Sequence, residues 1–134
     1  MLHRLQMSMC RGDILEAGIQ PSWFPFLAKL TFENEPVTQE YLSRALAIDK
    51  GTTARAINQL EQHGYVTRKP NPVNRRQNLV SATPRATEIT QQLMRSFEKS
   101  LYIFMKGFSE EECATILAQM DRMIANAKEA LYEQ

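Results

Sequence analysis

The run from Asp49 to Gly64 constrains this 134-residue chain more than any other stretch. Asp49 carries a short acceptor side chain of the kind that satisfies the first free N–H groups of a helix, so it reads as an N-cap. Behind it, Thr53, Ala56, Ile57 and Leu60 recur at the i, i+3, i+4, i+7 spacing of one buried helical face. Gly64 stops the run, as glycine does beyond a helix terminus. With those four residues turned inward, Lys50, Gly51, Thr52, Ala54 and Arg55 must point away from the core. His63, next to the stop, reads as a cap toward free carbonyls rather than a catalyst or metal ligand.

The flanks give this helix a context. Thr38 is a candidate N-cap for a shorter helix, with Glu40 near its positive end and Leu42, Leu46 and Ile48 as apolar positions. Ser43 is small enough to let the next helix approach. The turn at Ala47 has no glycine and must be made without one. After Gly64, residues 65–69 and 78–82 read as strands. Residues 70–77 between them hold Pro70, Asn71, Pro72 and Asn74, too rich in turn formers for a ladder, with Arg75 and Arg76 near the tip. Helix, turn, helix, hairpin is the order of a winged helix-turn-helix, and Val37 adds a short extended piece before it.

Outside this lobe the pattern is helical. Residues 1–17 place Leu2, Leu5, Met9 and Ile14 roughly on one side, and Gly18 ends that helix. Ser22 is expected to cap the next, with Pro25 in its first turn and Trp23, Phe26, Leu27 and Leu30 as its apolar face. Thr83 and Pro84 open a long fifth helix whose stripe is Ile89, Leu93, Phe97, Leu101, Phe104 and Phe108. Gly107 and Ser109 interrupt it, and Ser109 with Glu112 forms a capping box for a sixth helix striped by Ile116, Met120, Met123, Ala127 and Leu131. Stripes this long exceed what a small winged module covers and most simply bury against another chain, an intramolecular helical layer being the plainer alternative. The expected fold is mainly α with a small β-hairpin wing. It is one domain over 1–134, with a winged lobe at 19–84 and helical dimerisation regions at 1–17 and 85–134, that is, helices one, five and six.

Charge separates along the chain. From Lys50 to Arg85 there are seven basic side chains against Glu61 alone, whereas Ser109 to Gln134 holds six acids against Arg122 and Lys128. A polyanion-binding face on a solvated body has this asymmetry, although basic hairpins are also ordinary solvated surface. Cys10 and Cys113 are far apart without metal spacing, so both read as packed thiols of a reduced compartment. No signal peptide or membrane span is indicated, and the expected location is cytoplasmic. His3 and His63 are the only histidines. No metal-ligand spacing, phosphate loop or nucleophile with a positioned base is present, so neither an enzyme nor a cofactor is expected.

The stretch from Thr38 to Thr90 resembles the MarR family of winged helix-turn-helix regulators. The likeness runs through Thr38-Gln39-Glu40-Tyr41-Leu42, Asp49 to Arg55, Asn58 to Arg68, the wing Asn71 to Arg76, and Leu79 to Pro84. It implies an obligate homodimer built by helices one, five and six. It also implies operator binding on pseudo-palindromic double-stranded DNA, with repression relieved in many members by a small aromatic or lipophilic effector, and in some by cysteine oxidation. Asn71 and Asn74 stand where the family's wing usually carries aspartates, and Gly51 and Ala54 where small hydroxyl residues commonly face DNA. The expected DNA-binding residues are Thr38, Gln39, Lys50, Gly51, Thr52, Ala54, Arg55, Arg75 and Arg76. Helix N-termini would meet phosphates, Lys50 or Arg55 would reach guanine, and Arg75 or Arg76 a narrow minor groove. Met9, Arg11, Trp23, Phe24 and Met94 are candidates for an effector pocket, with ordinary core packing as the alternative. A winged-helix protein-interaction module with weak or no DNA binding is the rival reading.

Overall fold

A computed structural model describes residues 1–132. In order, it contains α1 (Leu2–Glu16), a 3-10 turn (Pro21–Trp23), α2 (Phe24–Phe32), β1 (Val37–Thr38), α3 (Gln39–Leu46) and α4 (Lys50–Gln62). These are followed by β2 (Val66–Pro70), β3 (Asn78–Ala82), α5 (Pro84–Phe104) and α6 (Glu110–Tyr132). The chain divides into two compact units, Met1–Ser100 and Leu101–Gln134. Among the described residues no helix is long and apolar enough to cross a membrane.

In the first unit the three strands form an antiparallel sheet ordered β1-β3-β2, with Val37 opposite Val80 and Val66 opposite Ala82. Thr53, Ala56, Ile57 and Leu60 are buried, as their spacing requires. Ala56, Ile57 and Leu60 pack into one cluster with Ile14, Phe26, Leu27, Leu42, Val80 and Leu93. Thr83 opens α5 as expected: its Oγ1 accepts the Ala86 N–H at 3.2 Å and its hydroxyl donates to the Gly64 carbonyl at 2.8 Å.

Four sequence expectations need correcting. Ser22 caps nothing: the chain forms a 3-10 turn behind Gln20, and α2 starts at Phe24 without a side-chain cap, Pro25 lying in its first turn. That tighter turn carries Trp23 into the core, 2% exposed. The first hairpin strand begins at Val66, because Tyr65 gives its N–H to the Leu60 carbonyl (2.9 Å) and its carbonyl to the Thr83 N–H (3.0 Å). In α1, Ile14 is buried with Cys10 while Leu2, Leu5 and Met9 are exposed. Five residues of helix separate Met9 from Ile14, a rotation of about 140°, so the two cannot share a face. Finally, α5 ends at Phe104; Gly107 takes φ 89° in the turn that follows, and Phe108 lies outside the helix and exposed.

The second unit holds the end of α5, this turn and α6. The capping box forms: Ser109 N–H donates to Glu112 Oε2 at 2.7 Å, and Glu112 N–H to Ser109 Oγ at 3.1 Å. No residue of α6 is buried, and Met120, Met123 and Leu131 of its stripe are exposed.

Candidate nucleic-acid interface

Two helix N-termini and the wing are set by local chemistry. Thr38 accepts the Tyr41 N–H at 3.1 Å and so starts α3. The helix ends on Ala47, which adopts φ 53° and ψ 41°, a left-handed conformation that costs a residue with a Cβ roughly 1–2 kcal/mol. Two bonds hold it there: Ile48 N–H to the Ser43 carbonyl at 3.0 Å, and the Ser43 hydroxyl to the Ile48 carbonyl. Ser43 therefore fastens the glycine-free turn, besides being small. Asp49 then caps α4, accepting the Thr52 N–H at 2.8 Å. The Thr52 hydroxyl and N–H, with a smaller contribution from the Arg55 charge, hold its carboxyl below the usual range.

On the exposed side of α4, Arg55 Nη2 donates to Thr52 Oγ1 at 3.0 Å, leaving the guanidinium in solvent without an ion pair among the described residues. A Cβ on Gly51 would lie 3.4 Å from Asp49 Oδ1 and 3.5 Å from Arg55 Nη1, contact distances rather than clashes. Lys50 approaches Glu40 at 3.6 Å, with both side chains largely exposed. Such a pair contributes little, because water screens it.

The wing tip is shaped by its asparagines. Asn71 Oδ1 accepts the Val73 N–H at 3.0 Å and Asn74 Oδ1 accepts the Arg76 N–H at 3.1 Å, while Asn71 N–H reaches the Gln77 carbonyl at 3.1 Å. These side chains mimic backbone turns and order the tip without ionic pairing. Arg75 and Arg76 remain exposed there. Thr38, Gln39, Lys50, Ala54 and Arg76 line one cleft of about 360 Å³ between the two helix N-termini and the wing. Five of the nine expected contact residues thus meet in one place; Gly51, Thr52 and Arg55 lie along the adjoining side of α4, and Arg75 adjoins Arg76.

The far end of α4 is clamped. Trp23 Nε1 donates to Gln59 Oε1 at 2.8 Å, and its ring lies 4.9 Å from that of His63. His63 Nδ1 meets the Gln59 carbonyl at 2.8 Å, the capping role its position suggested. Arg85 donates to the His63 carbonyl at 2.7 Å and lies over the Tyr65 ring at 4.6 Å. Arg68, on β2, pairs with both oxygens of Glu61 (3.1 and 3.0 Å) and also reaches Gln39 and Asn58. This pairing holds the Glu61 carboxyl below its ordinary value and raises the Arg68 guanidinium above its own. From the sequence, neither Arg68 nor Arg85 has a role beyond charge and, for Arg68, a place in a strand and in the family motif. A signal for Arg68 existed: it alternates with Val66 onto the inward face of a strand, and Glu61 is the one acid nearby.

The candidate effector residues occupy different settings. Trp23 and Phe24 are buried, and Phe24 stacks on Phe97 with ring centroids 4.4 Å apart. Met94 is half-buried against the same core, Met9 is exposed on α1, and Arg11 lines a shallow depression of about 280 Å³ with Met7 and Pro21. Cys10 is buried, Cys113 is half-buried, and both are free. Among the described residues no group of His, Cys, Asp or Glu could hold a metal ion.

Known proteins share this fold. The sequence profile of the MarR family matches residues 17–77. An uncharacterized HTH-type transcriptional regulator, YybA, of Bacillus subtilis (strain 168) is 32% identical over 126 residues, covering 94% of this chain and 83% of the relative. A MarR transcriptional regulator from Methanosarcina mazei Go1 superposes with a TM-score of 0.86 at 32% identity, covering 94% of this chain and 90% of the other. A MarR family regulator from Listeria monocytogenes, solved in complex with a 26mer DNA, superposes at 0.87 with 26% identity, covering 96% and 85%. A winged lobe in the right order, matched in sequence over nearly its whole length and in fold beyond it, leads to one conclusion: the chain belongs to the MarR family of transcriptional regulators.

Proposed function

We propose that this regulator acts as a homodimer that binds a pseudo-palindromic double-stranded operator in the cytoplasm and represses until a small aromatic or lipophilic effector releases it. The observation that carries the DNA reading is the cleft where Lys50 and Arg76 converge on the N-termini of α3 and α4. Free N–H groups and the positive end of each helix dipole favour phosphate there. The DNA complex of the Listeria relative supports the same reading. In this assignment Thr38, Gln39 and Thr52 meet phosphates or groove edges, Lys50 and Arg55 reach guanine, and Arg75 or Arg76 enters a flanking minor groove, with Gly51 and Ala54 allowing close approach.

The dimer is supported separately in each unit by apolar side chains that one chain leaves open: Leu2, Leu5 and Met9 on α1, and Met120, Met123 and Leu131 on α6. The effector would act at Met9, Arg11, Trp23, Phe24 or Met94. Displacing Trp23 from Gln59 would loosen the end of α4 that the core now holds.

In vitro selection of DNA sites with the purified protein tests the proposal. Two half-sites about one turn apart, roughly 10 bp, are expected, with affinity falling steeply as salt rises. The Arg75→Ala/Arg76→Ala variant should bind the same sites more weakly and with a shallower salt slope. No selected sequence and a flat salt dependence would instead favour the protein-interaction module.

A further inference from the structure

We propose that Arg68 is a positioning residue that makes Gln39 and Asn58 hydrogen-bond donors toward DNA, so that they meet acceptor atoms and do not read adenine through a paired amide edge. The inference rests on the DNA-binding reading above and deepens it.

The Arg68 guanidinium is held by Glu61 through Nε and Nη2, at 3.1 and 3.0 Å. Its Nη1 donates to Gln39 Oε1 at 3.3 Å, and its Nη2 also donates to Asn58 Oδ1. A guanidinium can only donate, so the atom that each amide turns toward it must be the oxygen. Each NH2 group is left over. Among the described residues neither amide nitrogen has a partner within the chain. Gln39 lines the cleft at the first residue of α3. Asn58 is exposed on α4, four residues after Ala54 and three after Arg55, and therefore on the same side of the helix.

The consequence is chemical polarity. An asparagine or glutamine that reads adenine accepts from the N6 amino group with its oxygen while donating to N7. Here both oxygens already accept from the guanidinium, so the NH2 group is the open end of each amide and seeks acceptors. The matching atoms on a duplex are phosphate oxygens, purine N7, guanine O6 and thymine O4.

The test uses the full chain and the duplex selected by the wild type. Gln39→Ala, Asn58→Ala and Arg68→Gln should each weaken binding by about fivefold to tenfold. Each double variant with Arg68→Gln should bind no more than twofold worse than Arg68→Gln alone, because the amides lose their orientation with the guanidinium. Arg68→Lys keeps the cation but not the fork; it should follow Arg68→Gln, and it replaces that variant in the cycle if the latter fails to fold. Phosphate and base acceptors are separated by methylphosphonate and 7-deazapurine substitutions; whichever group an amide meets, its alanine variant should become insensitive to that substitution. Additive losses, or wild-type affinity in the folded Arg68 variants, would overturn the inference while leaving DNA binding intact. So would a penalty for purine in place of adenine that disappears in Gln39→Ala or Asn58→Ala. A wild type that selects no duplex overturns the DNA reading and this inference with it.

Discussion

The two ends of α4 have opposite fates. At the N-terminal end Lys50 and Arg55 are exposed, Lys50 approaching Glu40 at 3.6 Å and Arg55 the Thr52 hydroxyl at 3.0 Å. At the C-terminal end Gln59 and His63 are held by Trp23 and Arg85, and Asn58 and Glu61 by Arg68. Arginines serve both ends: Arg55 stays exposed, while Arg68 and Arg85 are bonded within the fold. Basic charge in a segment is therefore a poor measure of binding capacity until its internal partners are known.

Breaking the clamped end should have the largest effect. Trp23→Ala removes a buried indole and leaves Gln59 without its donor, and a loss of about 3–5 kcal/mol in urea unfolding is expected. A loss near zero would mean that the two ends are not mechanically different. Next, the two kinds of arginine can be set against each other. Arg55→Ala should lower operator affinity by about 1–3 kcal/mol with an unchanged melting temperature. Arg85→Ala should do the reverse, costing about 1 kcal/mol of stability through the lost Tyr65 stack and His63 bond while affinity stays within about twofold. If Arg55→Ala destabilises and leaves binding intact, the contrast fails.

A smaller change sharpens the open end. Gly51→Ala should raise stability by about 0.5–1 kcal/mol, since alanine favours the helix and its Cβ finds ordinary contacts at 3.4 and 3.5 Å. If thermal melting shows destabilisation, the Asp49–Arg55 side chains are less able to give way than their distances suggest. The smallest expected effect is the pH dependence from Glu61. Its folded pKa lies below the ordinary 4.5, chiefly through its hydrogen bonds with Arg68. Its contribution is therefore complete above that value and fades as pH falls through the lowered one. Acid titration of unfolding should show a gentler acid limb in Glu61→Gln; identical limbs would mean the pair is fully screened by water.

Features carried by a few neighbouring residues were legible. Thr38, Asp49, Thr83 and Ser109 cap the helices they were expected to cap, and the stripe of α4 faces the core. Ser22 misled because a plausible cap competes with the pull on its neighbour Trp23, whose partner Gln59 is 36 residues away. The Asn-rich wing was legible as a loop, but its ordering by Asn71 and Asn74 depends on which N–H groups the fold presents to them.

By itself the sequence determined the winged helix-turn-helix order and the outward face of α4, because periodicity, capping and turn chemistry act within a few residues, and its motifs between Thr38 and Thr90 carried the resemblance to the family. Only the tertiary structure decided which of the arginines between Lys50 and Arg85 find partners within the fold. It assigned Arg68 and Arg85 to the fold and left Arg55, Arg75 and Arg76 exposed. The physical reason is that a charge is spent or available according to what lies within hydrogen-bond reach. For these side chains that is set by the meeting of α3, α4, β2 and α5, which brings Arg68 to Gln39 across 29 residues and Arg85 to His63 across 22.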